Sequence, residues 1–194
     1  MKTGVAILGL NGSGKSALAH ALAKQTGYFE MDVEDYYFPE QRDARRRALD
    51  NEPPENGTTD AEIPFSSSRT EVEVEAALLR DIQIHSCFIL SGVSMNWREE
   101  IIKRVGLAFL IETPKQERLR RIVLREEKRF GARVLPGGDM YERQQRFHSM
   151  AAQRDIASVE ESAMNLRCPV TRLDGMRPLA ENVEKVLRLI DDMK

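Results

Sequence analysis

Near the amino terminus, Gly9-Leu10-Asn11-Gly12-Ser13-Gly14-Lys15-Ser16 fits the pattern G-x-x-x-x-G-K-[ST] at every fixed position. Such a turn needs a buried strand before it and a helix after it, whose first amides complete the turn. Both are legible. Val5-Ala6-Ile7-Leu8 is a short apolar run of the kind buried on both faces of a parallel sheet. Residues 16–26 carry Leu18, Ala19, Leu22 and Ala23 at helical spacing, and Gly27 stands where that helix should stop. The glycines let successive N–H groups point inward, and the positive helix end adds to their pull, so the segment is suited to holding phosphate oxygens. Gly9, Asn11, Gly12, Ser13, Gly14, Lys15, Ser16 and Ala17 are expected to line this cradle. Lys15 can reach the terminal phosphates of ATP, and the Ser16 hydroxyl can ligate Mg²⁺.

The rest of the chain alternates strands with helices. Tyr28 to Met31 reads as a second strand, ending in Asp32-Val33-Glu34-Asp35. Residues 39–67 lack a clear period and contain Pro53-Pro54, Asn56-Gly57 and three consecutive serines, with a short charged helix expected over Glu40 to Leu49. Ser68-Arg69-Thr70-Glu71 has capping-box spacing ahead of a helix marked by Val72, Ala76, Leu79 and Ile82. Cys87 to Leu90 is a third strand, a short helix starts near Asn96, and Leu107 to Ile111 is a fourth strand. A charged helix runs from Lys115 to Arg129, is broken by Gly131 and Pro136-Gly137-Gly138, and is followed by a second charged helix over 139–164. Val170 to Leu173 is a fifth strand, and Pro178 opens a last helix with Leu179, Val183, Val186, Leu187 and Ile190 on one face. The order predicts a three-layer α/β/α sandwich around a five-stranded parallel sheet. One domain over 1–194 is expected, with a core of 1–38, 68–114 and 165–194, a substrate-binding insert of about 39–67 and an arginine-rich lid of about 115–140.

Composition narrows the partners. Lys+Arg 29 against Asp+Glu 31 leaves a net charge of −2, so no global excess of positive charge points to nucleic acid or a membrane surface. Cys87 and Cys168 have no zinc-site spacing and read as reduced thiols. No apolar run reaches the length of a bilayer span, and the short apolar start lacks the features of a secretory signal, so a cytoplasmic monomer or homodimer acting on a small molecule is expected.

The loop alone does not select a chemistry. The chain has no Asn-Lys-x-Asp segment, which disfavours guanine recognition. The third strand ends in Ser91-Gly92 rather than in an acid, so carboxylates for metal support or base chemistry must come from elsewhere. Asp32, Glu34 and Asp35 are the nearest candidates, because neighbouring parallel strands open on one crevice. Residues 115–133 carry eight cations against three glutamates, a net of +5. Arg118, Arg121, Arg125 and Arg129 share one helical face, and guanidinium groups closing over a phosphoryl group stabilise its developing charge. Arg69, Trp97, Arg98 and Tyr36 are further candidates for the acceptor pocket.

Together, the glycine loop, Asp32-Val33-Glu34-Asp35-Tyr36-Tyr37 and Leu119-Arg120-Arg121-Ile122-Val123-Leu124-Arg125 resemble the P-loop small-molecule kinases, a group that includes adenylate, shikimate, gluconate and uridine kinases. The stretch from Arg129-Phe130-Gly131 to Pro136-Gly137-Gly138-Asp139-Met140-Tyr141 resembles an adenylate-kinase-like branch of that group. The resemblance implies a nucleoside-monophosphate-kinase-like fold with a helical lid, and transfer of the γ-phosphoryl group of ATP, with Mg²⁺, to a small hydroxyl- or phosphate-bearing acceptor such as a nucleotide or nucleoside. It implies Arg121 beside the adenine and Arg125 at the phosphates; Arg129, on the same helical face, is expected to close over the phosphates with them. Likeness to nucleoside kinases makes Asp35 the hydroxyl-orienting base; read instead against the shikimate kinase pattern, Asp32 takes the magnesium-side role, so that Asp35 or Asp32 positions the acceptor. The alternative is an ATP-binding regulatory P-loop protein with little intrinsic turnover.

Overall fold

The computed structural model describes residues 4–52 and 68–192. Its sheet contains β1 (Gly4–Gly9), β2 (Phe29–Asp32), β3 (Phe88–Gly92), β4 (Val105–Glu112) and β5 (Val170–Asp174), all parallel, in the order β2-β3-β1-β4-β5. Every residue of β1 is buried, as its unbroken apolar run requires. Side chains alternate between two cores. Val5, Ile7, Ile89, Phe109 and Ile111 pack with Leu18 and Leu22 of α1 (Lys15–Thr26) and with Val183, Val186 and Ile190 of α9 (Leu179–Asp191). Ala6, Leu8, Phe88, Leu90 and Leu110 face the opposite layer, packing with α4 (Glu71–Ile84), α5 (Glu99–Ile102) and α8 (Ile156–Met164). This is the expected three-layer sandwich.

The chain also forms α2 (Val33–Tyr37), α3 (Arg42–Asp50), α6 (Lys115–Phe130) and α7 (Tyr141–Gln153). Several boundaries differ from the sequence reading for local reasons. The acidic segment after β2 is helical, because the Asp32 carboxylate accepts the Glu34 amide at 3.0 Å and caps α2. The capping box of α4 is Thr70–Glu73 rather than Ser68–Glu71: Glu73 N donates to Thr70 Oγ1 and Thr70 N to Glu73 Oε2. The single helix expected over 139–164 is two, since Arg154 is extended and Asp155 caps α8 through the Ala157 amide. The prolines, the Asn-Gly pair and most of the serine run of the proposed insert fall in 53–67, outside the described residues.

The sheet order places β1 between β3 and β4, with β2 beyond β3. The register pairs Ile7 with Ser91 and Ser91 with Asp32, so the loop after β1 and the acids after β2 open on one end of the sheet.

Candidate active site

The loop between β1 and α1 is stitched from outside. Ser13 N donates back to Leu10 O at 3.0 Å, while the Ser13 carbonyl accepts Thr113 Oγ1 at 3.1 Å and Arg121 Nη1 at 3.5 Å. The Asn11 carbonyl accepts Arg118 Nη1 at 3.1 Å, and the Asn11 side chain accepts Arg154 Nη1 at 2.9 Å. With these carbonyls engaged by surrounding elements, the opposite side of the turn presents amides. Gly14, at φ 100, precedes α1, and no side chain caps that helix. Its first-turn N–H groups lack helical partners by construction, which is the requirement for an anion cradle. Gly12, at φ 81, passes against the backbone of Arg118, where a Cβ would collide.

Lys15 opens α1 beneath this turn. Burial lowers its pKa, and the nearby Asp32 and Glu34 pull it back up. Arg125 and Arg45 bear on the same ammonium. Ser16 and Asp32 are close enough for a hydrogen bond that, together with Arg45 and Lys15, holds the buried Asp32 carboxyl below its usual range. Asp35 behaves differently: burial raises its pKa to about 7, outweighing Arg45. Two acids three residues apart are therefore driven in opposite directions, one kept ionised and one poised near neutrality.

The expected cationic face of α6 is assembled along this crevice. Arg118 is 3% exposed and built under the loop. Arg121 also donates to Gly175 O, at 3.0 Å, in the turn after β5. Arg125 is half exposed and pairs with Glu126. Arg129 donates to the buried Gln41 in the turn after α2, and Lys128 reaches Asn51 at 3.2 Å. The helix thus spans from the glycine loop to α3.

Three acceptor-pocket candidates are placed otherwise. Tyr36 is buried in the core, and its hydroxyl donates to Asp81, because a buried phenol needs an acceptor. Trp97 joins the same core. Arg98 is held by Glu75 at 2.8 Å on the flank of α4. Arg69 is exposed, its amide bonded to Tyr37 O at 3.1 Å. The sequence reading missed Arg45, which bridges Asp32, Glu34 and Asp35 and stood in a segment without period. It also missed Arg154, whose one signal was a charged residue beside a helix-capping aspartate.

Among the described residues, no group of three or more His, Cys, Asp or Glu side chains could hold a metal. Magnesium fits a different way. Asp32 Oδ2 is buried with no hydrogen-bond partner, and the Ser16 hydroxyl bears on the same carboxyl group. One carboxylate plus one hydroxyl suffice for a Mg²⁺ otherwise held by phosphates and water.

No family model matches the chain. It is 29% identical over 195 residues to the uncharacterized protein YqaC of Bacillus subtilis (strain 168), covering 96% of this chain and 97% of that one. Three solved structures are similar at lower identity. A shikimate kinase from Acinetobacter baumannii, in complex with shikimate, has TM-score 0.53 and 16% identity over 99% of this chain and 94% of its own. A gluconokinase from Sinorhizobium meliloti 1021 has TM-score 0.50 and 15% identity over 99% and 93%. An unliganded sugar kinase from Janibacter sp. HTCC2649 has TM-score 0.50 and 16% identity over 98% and 95%. The strand order, the glycine loop and these neighbours lead to one conclusion about architecture: this chain has the fold of the P-loop small-molecule kinases.

Proposed function

We propose that the protein transfers the γ-phosphoryl group of ATP to the hydroxyl or phosphate of a small-molecule acceptor. The observation that carries this reading is the placement of two buried acids, Asp32 and Asp35, at the same end of the sheet as the glycine loop with Lys15 and Ser16; burial raises Asp35 to about 7, in the range of a base. A simple ATP-binding regulator has no need of a carboxyl tuned as a base.

In this reading the amides of Gly12 to Ala17 and the Lys15 ammonium bind the phosphates. Asp32 and Ser16 would hold Mg²⁺, which would neutralise charge developing on the transferring group. Asp35 accepts the acceptor hydroxyl's proton, and Arg125, half exposed on the facing wall, stabilises the equatorial oxygens. Arg121, tied to the turn at Gly175, flanks the base of the nucleotide, and Arg129 sets the far end of the wall. Arg69 stands where an anionic acceptor would enter. The acceptor is a small molecule, and no helix among the described residues is long and apolar enough to cross a membrane.

The test is ADP release from ATP and Mg²⁺ against a panel of nucleosides, nucleoside monophosphates and sugar acids. Release stimulated by at least one acceptor class is expected. Tight ATP binding with no stimulation by any of them would instead favour the regulator.

A further inference from the structure

Asp32, Glu34 and Asp35 lie within four residues of one another, and a single side chain from the next helix meets all three. Arg45 Nη2 is 3.1 Å from Asp32 Oδ1, Nη1 is 2.9 Å from Glu34 Oε2, and Nε is 3.2 Å from Asp35 Oδ1. Each guanidinium nitrogen lies at ion-pair distance from a different carboxyl group, and the side chain is only 16% exposed. This is not a bidentate pair of the usual kind. One guanidinium faces three carboxyl groups, with Asp32 and Asp35 buried and Glu34 half exposed, and carboxyl groups that outnumber their cation draw a second one.

The position of Arg45 conflicts with that second cation. A divalent ion between Ser16 and Asp32 would share the Asp32 carboxylate with a buried guanidinium, and two cations on one carboxylate repel. The helix that carries Arg45 is weakly packed. Ala44 is the one buried residue of α3, so charge pairs rather than apolar contacts hold that helix in place. Its two ends are fixed separately, by Arg129 on Gln41 just before the helix and by Asp50 on His20 and Lys24 at its close.

We propose that Arg45 is the resident counter-cation of the metal side of this site: it gathers the three carboxylates in the nucleotide-free protein and yields Asp32 to the magnesium that arrives with the nucleotide. The first turns of α3 then shift between those two anchors, leaving Arg45 with Glu34 and Asp35 beside the acceptor. The inference rests on the phosphotransferase reading, in which Asp32 takes the magnesium side.

Hydrogen exchange on the full-length wild-type protein tests the motion directly. Amides of residues 42–50 should exchange roughly fivefold faster with ATP and Mg²⁺ than with ATP and EDTA. In parallel, Mn²⁺ titrations followed by electron paramagnetic resonance, with a non-hydrolysable ATP analogue, should show Arg45→Gln binding the metal about tenfold more tightly than wild type, with Arg45→Lys between them. Unchanged or slower exchange in α3, or no gain in Mn²⁺ affinity in either variant, would overturn the proposal. The wild-type exchange arm depends on no variant folding. If wild type binds Mg²⁺ and ATP while α3 stays still, only this inference falls. If wild type binds no nucleotide, the phosphotransferase reading falls and takes the inference with it.

Discussion

Arg118 Nη1 donates to the carbonyl of Asn11 at 3.1 Å, so a residue near the start of α6 holds the outer side of the glycine loop. The Arg118 backbone in turn fills the space that leaves Gly12 no room for a side chain. Arg118→Ala should therefore loosen the loop as well as the core. A loss of about 2 kcal/mol in unfolding free energy by urea titration is expected, with weaker ATP binding by calorimetry. Weaker ATP binding at unchanged stability would mean the arginine serves the ligand alone.

Lys15→Met keeps the length of the side chain and removes its charge. Because burial disfavours that charge in the folded protein, the variant should keep its melting temperature while acceptor-dependent ADP release disappears. Turnover within about tenfold of wild type would rule out the phosphate role of Lys15.

Asp35 should set the acid limb of the pH profile. With its pKa raised to about 7, it is protonated and idle as a base below neutrality, so kcat/KM should climb as pH rises through about 7 and then level off. Asp35→Asn should flatten that limb and lower kcat by about 100-fold or more. A profile of unchanged shape in the variant would assign the titration to another group.

His20 supports the far end of the site. Its Nδ1 is 2.9 Å from Glu30 Oε2 and its Nε2 is 3.0 Å from Asp50 Oδ1. The ring satisfies both only when both nitrogens carry protons. The two carboxylates raise its pKa against the pull of burial. A raised folded pKa means that stability is fully present below pH 6.5 and is lost as pH rises through the folded value. Thermal melts of wild type should fall across that window, by about 1 kcal/mol, and those of His20→Gln should not. A parallel fall in the variant would place the titrating group elsewhere.

The β1–loop–α1 unit was legible because local rules and global fold agree there: an unbroken apolar run, glycines where positive φ is needed, then helical spacing. The strand sequence followed from the same agreement, and the arginine face of α6 from its spacing. Arg45 was not legible. Its role depends on α3 lying against the end of β2, a contact across ten residues of chain that no periodicity records. Tyr36 and Trp97 went the other way, since residue type cannot tell an aromatic ring facing a cleft from one filling a core. Arg154 needed the break between α7 and α8, and a continuous charged pattern hides that break.

Helix α6 has 16 residues, a length of about 24 Å, and it is fastened at both ends: to the glycine loop by Arg118 and Arg121, and to the α2–α3 region by Lys128 and Arg129. On the proposed function, a stiff strut joining the nucleotide side to the acceptor side cannot shift at one without pressing on the other. Nucleotide and acceptor should consequently report on each other's presence, each altering the other's affinity by the same factor.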